Sequence, residues 1–110
     1  MAAINFSFSM IAGDTEKIVA TVTDENNDAL PVSSATIKYV VRDSVGGTQR
    51  ISKTTTSGIV INSNVFTISL DPADTVDLAA NVYYHESEIT FGGDVYTAFY
   101  GNIEIGATGV

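Results

Sequence analysis

Three sets of polar residues have types and spacings that could carry chemistry. Glu86 and Glu88 stand two apart with the chain's single histidine, His85, beside them, and Asp24-x-Asn26-x-Asp28 has the spacing of the first three ligands of a calcium loop. A retaining glycosidase needs two carboxyls about 5–5.5 Å apart across a water-excluding cleft. Glutamates at alternate positions of one strand instead lie side by side in solvent, so a solvated acidic face is expected. No serine or aspartate neighbours His85 in a way that completes a triad. It is expected to be a hydrogen-bonded core residue near Thr97 or Tyr39, with a pH-sensitive contact as the alternative. The calcium spacing breaks down further along: Ala29 stands where the loop requires glycine and Ala35 where it requires glutamate. A polar turn closed by Pro31 is expected there, a weak calcium site being the alternative.

The composition narrows the field further. Zero cysteines exclude a disulfide framework, a thiolate metal site and a thiol nucleophile. One histidine excludes a multi-histidine metal centre within one chain. Thirteen acidic residues against five basic give a net charge of −8, which argues against nucleic acid and against an anionic membrane as partners. No catalytic residue, metal or cofactor is assigned. At 110 residues and 45% apolar, the chain has the size and greasiness of one folded domain, taken as residues 1–110. The start, Met1-Ala-Ala-Ile-Asn-Phe, lacks the basic stretch of a secretory signal, and no run approaches the roughly 18 apolar residues of a membrane span. A protein made in the cytoplasm without an export signal is expected.

The elements that must position these residues are strands. Ile4, Phe6, Phe8 and Met10 alternate with polar neighbours, and the same period of two recurs at Ile18–Val22, Ile37–Val41, Gly58–Asn62 and Phe66–Leu70. Two longer runs, 82–91 and 95–105, finish the chain. Gly, Asn, Asp and Ser clusters separate the runs, which predicts an all-β sandwich of seven to eight antiparallel strands. One short helical turn is expected at Asp71–Leu78, with Asp71 as N-cap, Pro72 at the first position and Asp74 facing the helix dipole.

The last two runs can be phased against each other. A three-residue loop, Gly92-Gly93-Asp94, pairs Phe91 with Val95 and keeps one face dry: Tyr83, His85, Ser87, Ile89 and Phe91 with Val95, Thr97, Phe99, Ile103 and Ile105. Glu86 and Glu88 then point outward. So do Tyr84, Tyr96 and Tyr100, with Asn102 and Glu104 beside them. Tyrosine supplies large amphipathic area at low entropic cost, so these five residues form the expected interface, the alternative being simple cross-strand packing. The N-terminal strand and the tail Gly106–Val110 are possible arms that could add to a neighbouring sheet edge or pair within the domain.

Ala80-Asn-Val-Tyr-Tyr-His85 resembles the entry into strand F of immunoglobulin domains, with Tyr83 at the corner tyrosine and His85 in place of the cysteine. A wider resemblance runs through Gly13-Asp-Thr15, Thr23–Val32, Asp74–Leu78, Tyr83–Glu86 and Thr97-Ala-Phe-Tyr-Gly-Asn-Ile-Glu-Ile105. That order is similar to the small immunoglobulin-like modules of tailed-bacteriophage virions, such as the N-terminal domain of baseplate upper proteins. Asn81 departs from the glycine common there, and His85 from the usual aromatic. The resemblance implies an immunoglobulin-like sandwich that is a non-enzymatic structural protein located in the virion. Its partners would be major capsid, neck or tail subunits, or further copies of itself. Capsid decoration is the first expectation within that class, followed by a neck, tail or baseplate position. The rival of another class is a carbohydrate- or cell-surface-binding module, since exposed tyrosines with Asn and acidic neighbours suit sugars.

Overall fold

The computed structural model describes residues 3–110; Met1 and Ala2, the start of the stretch inspected for a signal, lie outside the described residues. The alternating runs become strands β1 (Ile4–Asn5), β2 (Phe8–Ile11), β3 (Glu16–Thr21), β4 (Thr36–Arg42), β5 (Gln49–Thr54), β6 (Ile59–Asn62), β7 (Val65–Leu70), β8 (Asn81–Phe91) and β9 (Asp94–Gly106). A single helical turn, α1 (Pro72–Thr75), links β7 to β8. The larger sheet has the order β1-β9-β8-β4-β5, with β2 also on β9, and the smaller has the order β3-β7-β6. The two sheets make an all-β sandwich, and the orders β9-β8-β4-β5 and β3-β7-β6 run as G, F, C, C′ and B, E, D do in immunoglobulin sandwiches.

Period two puts one face of each strand into the space between the sheets. β7 contributes Phe66, Ile68 and Leu70, and β4 contributes Ile37, Tyr39 and Val41, all fully buried. Ile89 from β8 and Phe99, Ile103 and Ile105 from β9 complete the layer on that side.

Two features differ from expectation. Among the described residues there are nine strands: the N-terminal run breaks at Phe6–Ser7, and β5 adds a strand whose one buried residue, Ile51, is too few to leave an alternation in the sequence. The sandwich is also not wholly antiparallel, since β1 and β2 both run parallel to β9.

The helical turn joins three parts of the fold. Asp74 Oδ2 accepts the Asp71 N–H at 2.7 Å and pairs with Lys53 Nζ of β5 at 2.8 Å. The buried Thr75 hydroxyl accepts the Gly13 N–H at 2.9 Å. The acids of this segment thus cap and anchor, as their positions predict. Tyr83 is a true corner tyrosine, its hydroxyl donating to the Ala79 carbonyl at 2.6 Å.

Candidate functional site

The β8–β9 hairpin positions most of the residues singled out above. Its turn has two residues, Gly92 and Gly93, with φ of 60° and 88°, and Phe91 faces Asp94. Left-handed conformation at both central positions is the two-residue turn that matches strand twist, and glycine adopts it without a Cβ penalty. Deeper in the hairpin the pairing expected from the sequence holds, with Tyr83 opposite Ile103, Tyr84 opposite Asn102, Glu86 opposite Tyr100 and Ser87 opposite Phe99. The one-residue difference is absorbed at Ala98, which bulges between the Ser87–Phe99 and Glu88–Thr97 pairs.

That bulge corrects the expected interface. Side chains before it on β9 change face, so Tyr96 lies opposite the buried Ile89 and away from Tyr84 and Tyr100, while Thr97 moves to the outward face. The Tyr96 hydroxyl donates to Asp94 Oδ2 at 3.4 Å, and its ionisation is pushed up by the charge of Asp94 first, then by partial burial, that hydrogen bond and Glu25.

Tyr84, Tyr100, Asn102 and Glu104 remain together on the outward face of the larger sheet with Glu86 and Glu88. Tyr100 is 38% exposed, and Tyr84 is half-buried. The Tyr84 hydroxyl donates to the Glu86 carboxylate one position along the same face, which fixes both side chains before any partner arrives. Tyr84 ionisation is pushed up to about 12, by desolvation first and then by the Glu86 hydrogen bond and charge and by Tyr100. Removing the carboxylate charge in Glu86→Gln is therefore expected to lower the Tyr84 midpoint while leaving it above 10, because burial persists. A tyrosine-resolved NMR titration reads this, and an unchanged midpoint would contradict the Glu86 contact.

β4 adds residues to this face that the sequence did not single out. Lys38 sits opposite Glu88, Val40 opposite Glu86 and Arg42 opposite Tyr84. Together they line a groove of about 420 Å³ running between β4, β8 and the β4–β5 loop. The alternation of Lys38 and Arg42 with buried Ile37, Tyr39 and Val41 marked an outward phase; which strand lies beside β8 is a tertiary fact.

His85 faces the opposite way and is fully buried. Nδ1 lies 2.9 Å from the Tyr39 hydroxyl, and Nε2 lies 2.6 Å from the Phe6 carbonyl. A carbonyl only accepts, so Nε2 carries the proton and Nδ1 accepts from Tyr39. The rings of Phe6, Phe8, Tyr39 and Phe99 surround it. Desolvation pulls its pKa below the usual histidine range, with the Phe6 hydrogen bond opposing, and burial holds the Tyr39 phenol far above its own. Of the two neighbours expected from the sequence, Tyr39 is the one that bonds.

The Asp24–Asp28 segment is a main-chain turn. Asp24 Oδ1 accepts the N–H groups of Asn26 and Asp28 at 2.8 and 3.0 Å, the Asp24 N–H donates to the Asp28 carbonyl at 2.9 Å, and Asn27 takes φ 64°. Asp24 is therefore engaged with its own backbone. Among the described residues, no group of three or more His, Asp or Glu side chains is arranged so that it could hold a metal ion.

No family model and no curated protein matches the chain. The candidate site is the outward face of the larger sheet around Tyr84 and Tyr100. It offers a preset tyrosine, an exposed tyrosine, carboxylates, an amide and two cations on a rigid sheet. Those groups suit recognition through hydrogen bonds and aromatic contact.

Proposed function

We propose that the protein is a non-enzymatic structural component of a tailed-phage virion, a capsid decoration protein first and a neck, tail or baseplate component second. The supporting observation is the outward face of the larger sheet. Tyr84 is held by Glu86, and Tyr100, Asn102 and Glu104 stand beside them on a scaffold of paired strands. Rigid aromatic side chains flanked by polar groups are what interface hot spots are made of. The phage-module resemblance of Gly13–Thr15, Tyr83–Glu86 and Thr97–Ile105 supplies the class of partner, another virion subunit. A net charge of −8 keeps a densely arrayed protein soluble.

Quantitative mass spectrometry of purified particles tests the reading. Hundreds of copies per particle place it on the capsid, and about six or twelve place it at a symmetric neck, tail or baseplate ring. Absence from the particle refutes it. Tyr100→Ala is expected to weaken attachment to the particle by about tenfold or more, the scale of a hot-spot truncation, whereas Glu86→Gln, whose amide oxygen still accepts from the Tyr84 hydroxyl, leaves it near wild type.

A second reading, a carbohydrate- or cell-surface-binding module, is favoured by the groove on the same face, where Lys38, Arg42, Tyr84, Glu86 and Glu88 offer donors and acceptors around an aromatic. Retention on a sugar array that Tyr84→Ala abolishes would select it.

A further inference from the structure

Among the described residues, the smaller sheet ends in a strand with a neighbour on one side only: β3 pairs there with β7. The Val22 N–H donates to the Asn64 carbonyl at 2.7 Å, continuing that ladder past Thr21. Because antiparallel ladders alternate, Ile18 and Ala20 also turn their main-chain groups toward β7, while Lys17, Val19 and Thr21 turn theirs outward. The Lys17 N–H meets the Glu16 carboxylate at 3.3 Å. Among the described residues, the main-chain groups of Val19 and Thr21 reach no other strand.

An apolar cleft of about 270 Å³ opens beside this edge. Ile4, Phe6, Phe66, Ala98 and Phe99 line it together with the residues of the edge. Ile4 is 60% exposed, and Val19 on the edge itself is 65% exposed. In constant-type immunoglobulin sandwiches the first strand lies beside the strand equivalent to β3. Here β1 and β2 lie on β9, and no described residue takes that place.

We propose that the β3 edge accepts an extended segment of another protein as a fourth strand of the smaller sheet, with alternate apolar side chains entering the cleft. Outward N–H and C=O groups repeating every second residue match an extended main chain; a helix has already spent its own groups internally, and a sugar lacks the repeat. The cleft sets the side-chain pattern, since residues of one parity in an added strand face inward. Charge sets the flanks. Asp14 and Glu16 stand at one end of the edge and Asp24 beyond the other, while Lys17 Nζ lies 3.2 Å from Ser69 Oγ on β7. A second copy of a chain of net charge −8 would bring like charge, whereas a segment with Lys or Arg at its ends complements the site. The proposal deepens the docking role proposed above. It is tested on the isolated chain, so its failure is distinguishable from absence of the protein from particles.

The probes are synthetic peptides of about nine residues carrying Val, Phe or Thr at alternate positions and Lys at both ends, with Glu-flanked versions as controls. Val19→Pro removes one outward N–H and leaves the β7 ladder intact, as edge strands allow. Lys-flanked peptides are expected to bind the wild type and to protect the amides of Val19 and Thr21 from hydrogen exchange. Val19→Pro is expected to weaken that binding by about tenfold. The proposal is overturned if no Lys-flanked peptide binds tighter than about 1 mM, if Val19→Pro binds equally well, or if protection falls on β5 or β6. Equal binding of Glu-flanked peptides overturns the charge assignment. Concentration-dependent self-association that protects the same amides without peptide would make a second copy the occupant and overturn the choice of partner. If Val19→Pro fails to fold, exchange mapping on the wild type decides alone.

Discussion

Replacing Gly101 by alanine is expected to destabilise the fold by about 3 kcal/mol or more and to lower the midpoint of thermal unfolding by about 10 °C or more. A Cβ at this position would lie 2.2 Å from the Phe6 carbonyl oxygen and 2.7 Å from its carbon. Both are main-chain atoms, so no side chain can swing aside. The N-terminal strand itself must lift from β9. Three contacts are at risk together: the Phe6 N–H to the Tyr100 carbonyl at 2.8 Å, the Asn102 N–H to Ser7 Oγ at 3.0 Å, and His85 Nε2 to the Phe6 carbonyl. The first two are worth about 1 kcal/mol each, and the third leaves a buried donor without an acceptor, at about 1–3 kcal/mol. Gly106 on the same strand is the control. Its Cβ would meet only the end of the Ile11 side chain at 3.2 Å, so Gly106→Ala is expected to shift stability by less than about 1 kcal/mol. Thermal unfolding followed by circular dichroism measures both. Equal effects would mean that the passage of the N-terminal strand over Gly101 is not a tight one.

The second large effect is a loss of stability on mild acidification that belongs to His85. Its folded-state pKa is lowered, by desolvation first. The unfolded chain therefore takes up a proton near pH 6.5 that the folded chain does not. Stability is full above pH about 6.5 and falls below it by about 1.4 kcal/mol per pH unit, until the folded-state pKa is reached. Among the described residues, the one titratable group bonded to the imidazole is Tyr39, which stays neutral throughout this range. His85→Gln can keep both hydrogen bonds, donating to the Phe6 carbonyl and accepting from Tyr39, without titrating. It is expected to flatten this dependence below pH about 6.5. His85→Ala, by contrast, leaves the Tyr39 hydroxyl and the Phe6 carbonyl unpaired beside a cavity, and costs about 3 kcal/mol at pH 7.5. Urea unfolding at a series of pH values separates these cases. A wild type as flat as His85→Gln would show that the histidine titrates alike in both states.

Both effects meet at one place, where Phe6 and Ser7 interrupt the N-terminal strand. Its sequence gave no reason to expect a break, since Ile4, Phe6, Phe8 and Met10 alternate without a fault. The interruption exists because the Phe6 carbonyl turns to His85, seventy-nine residues away, and because Gly101 leaves room for it. Local pattern cannot register a partner so distant. β5 was missed for a different reason: as an edge strand with Ile51 alone buried, it has no alternation to find.

Much of the candidate face was nonetheless legible. Tyr84, Glu86 and Glu88 are outward and His85 inward because a strand with one dry face sorts its side chains by parity. Tyr83 at the corner and the acids of the helical turn follow from equally local chemistry. The all-β fold class, the acidic balance of charge and the inward histidine were thus determined by the residues themselves, through composition and through periods and caps that act over a few positions. The turn and the bulge were not. A Gly-Gly pair permits both a two-residue and a three-residue loop, and the choice was made by strand twist at the turn together with an extra residue accommodated at Ala98. That choice moved Tyr96 off the face, brought Thr97 onto it, and left Tyr84 and Tyr100 together. Tertiary structure likewise decided that β4 brings Lys38 and Arg42 to the groove, and that the N-terminal strand joins β9 instead of β3. Such pairings join residues far apart in the chain, and their energies depend on packing and hydrogen bonds that exist only once the sheets have formed.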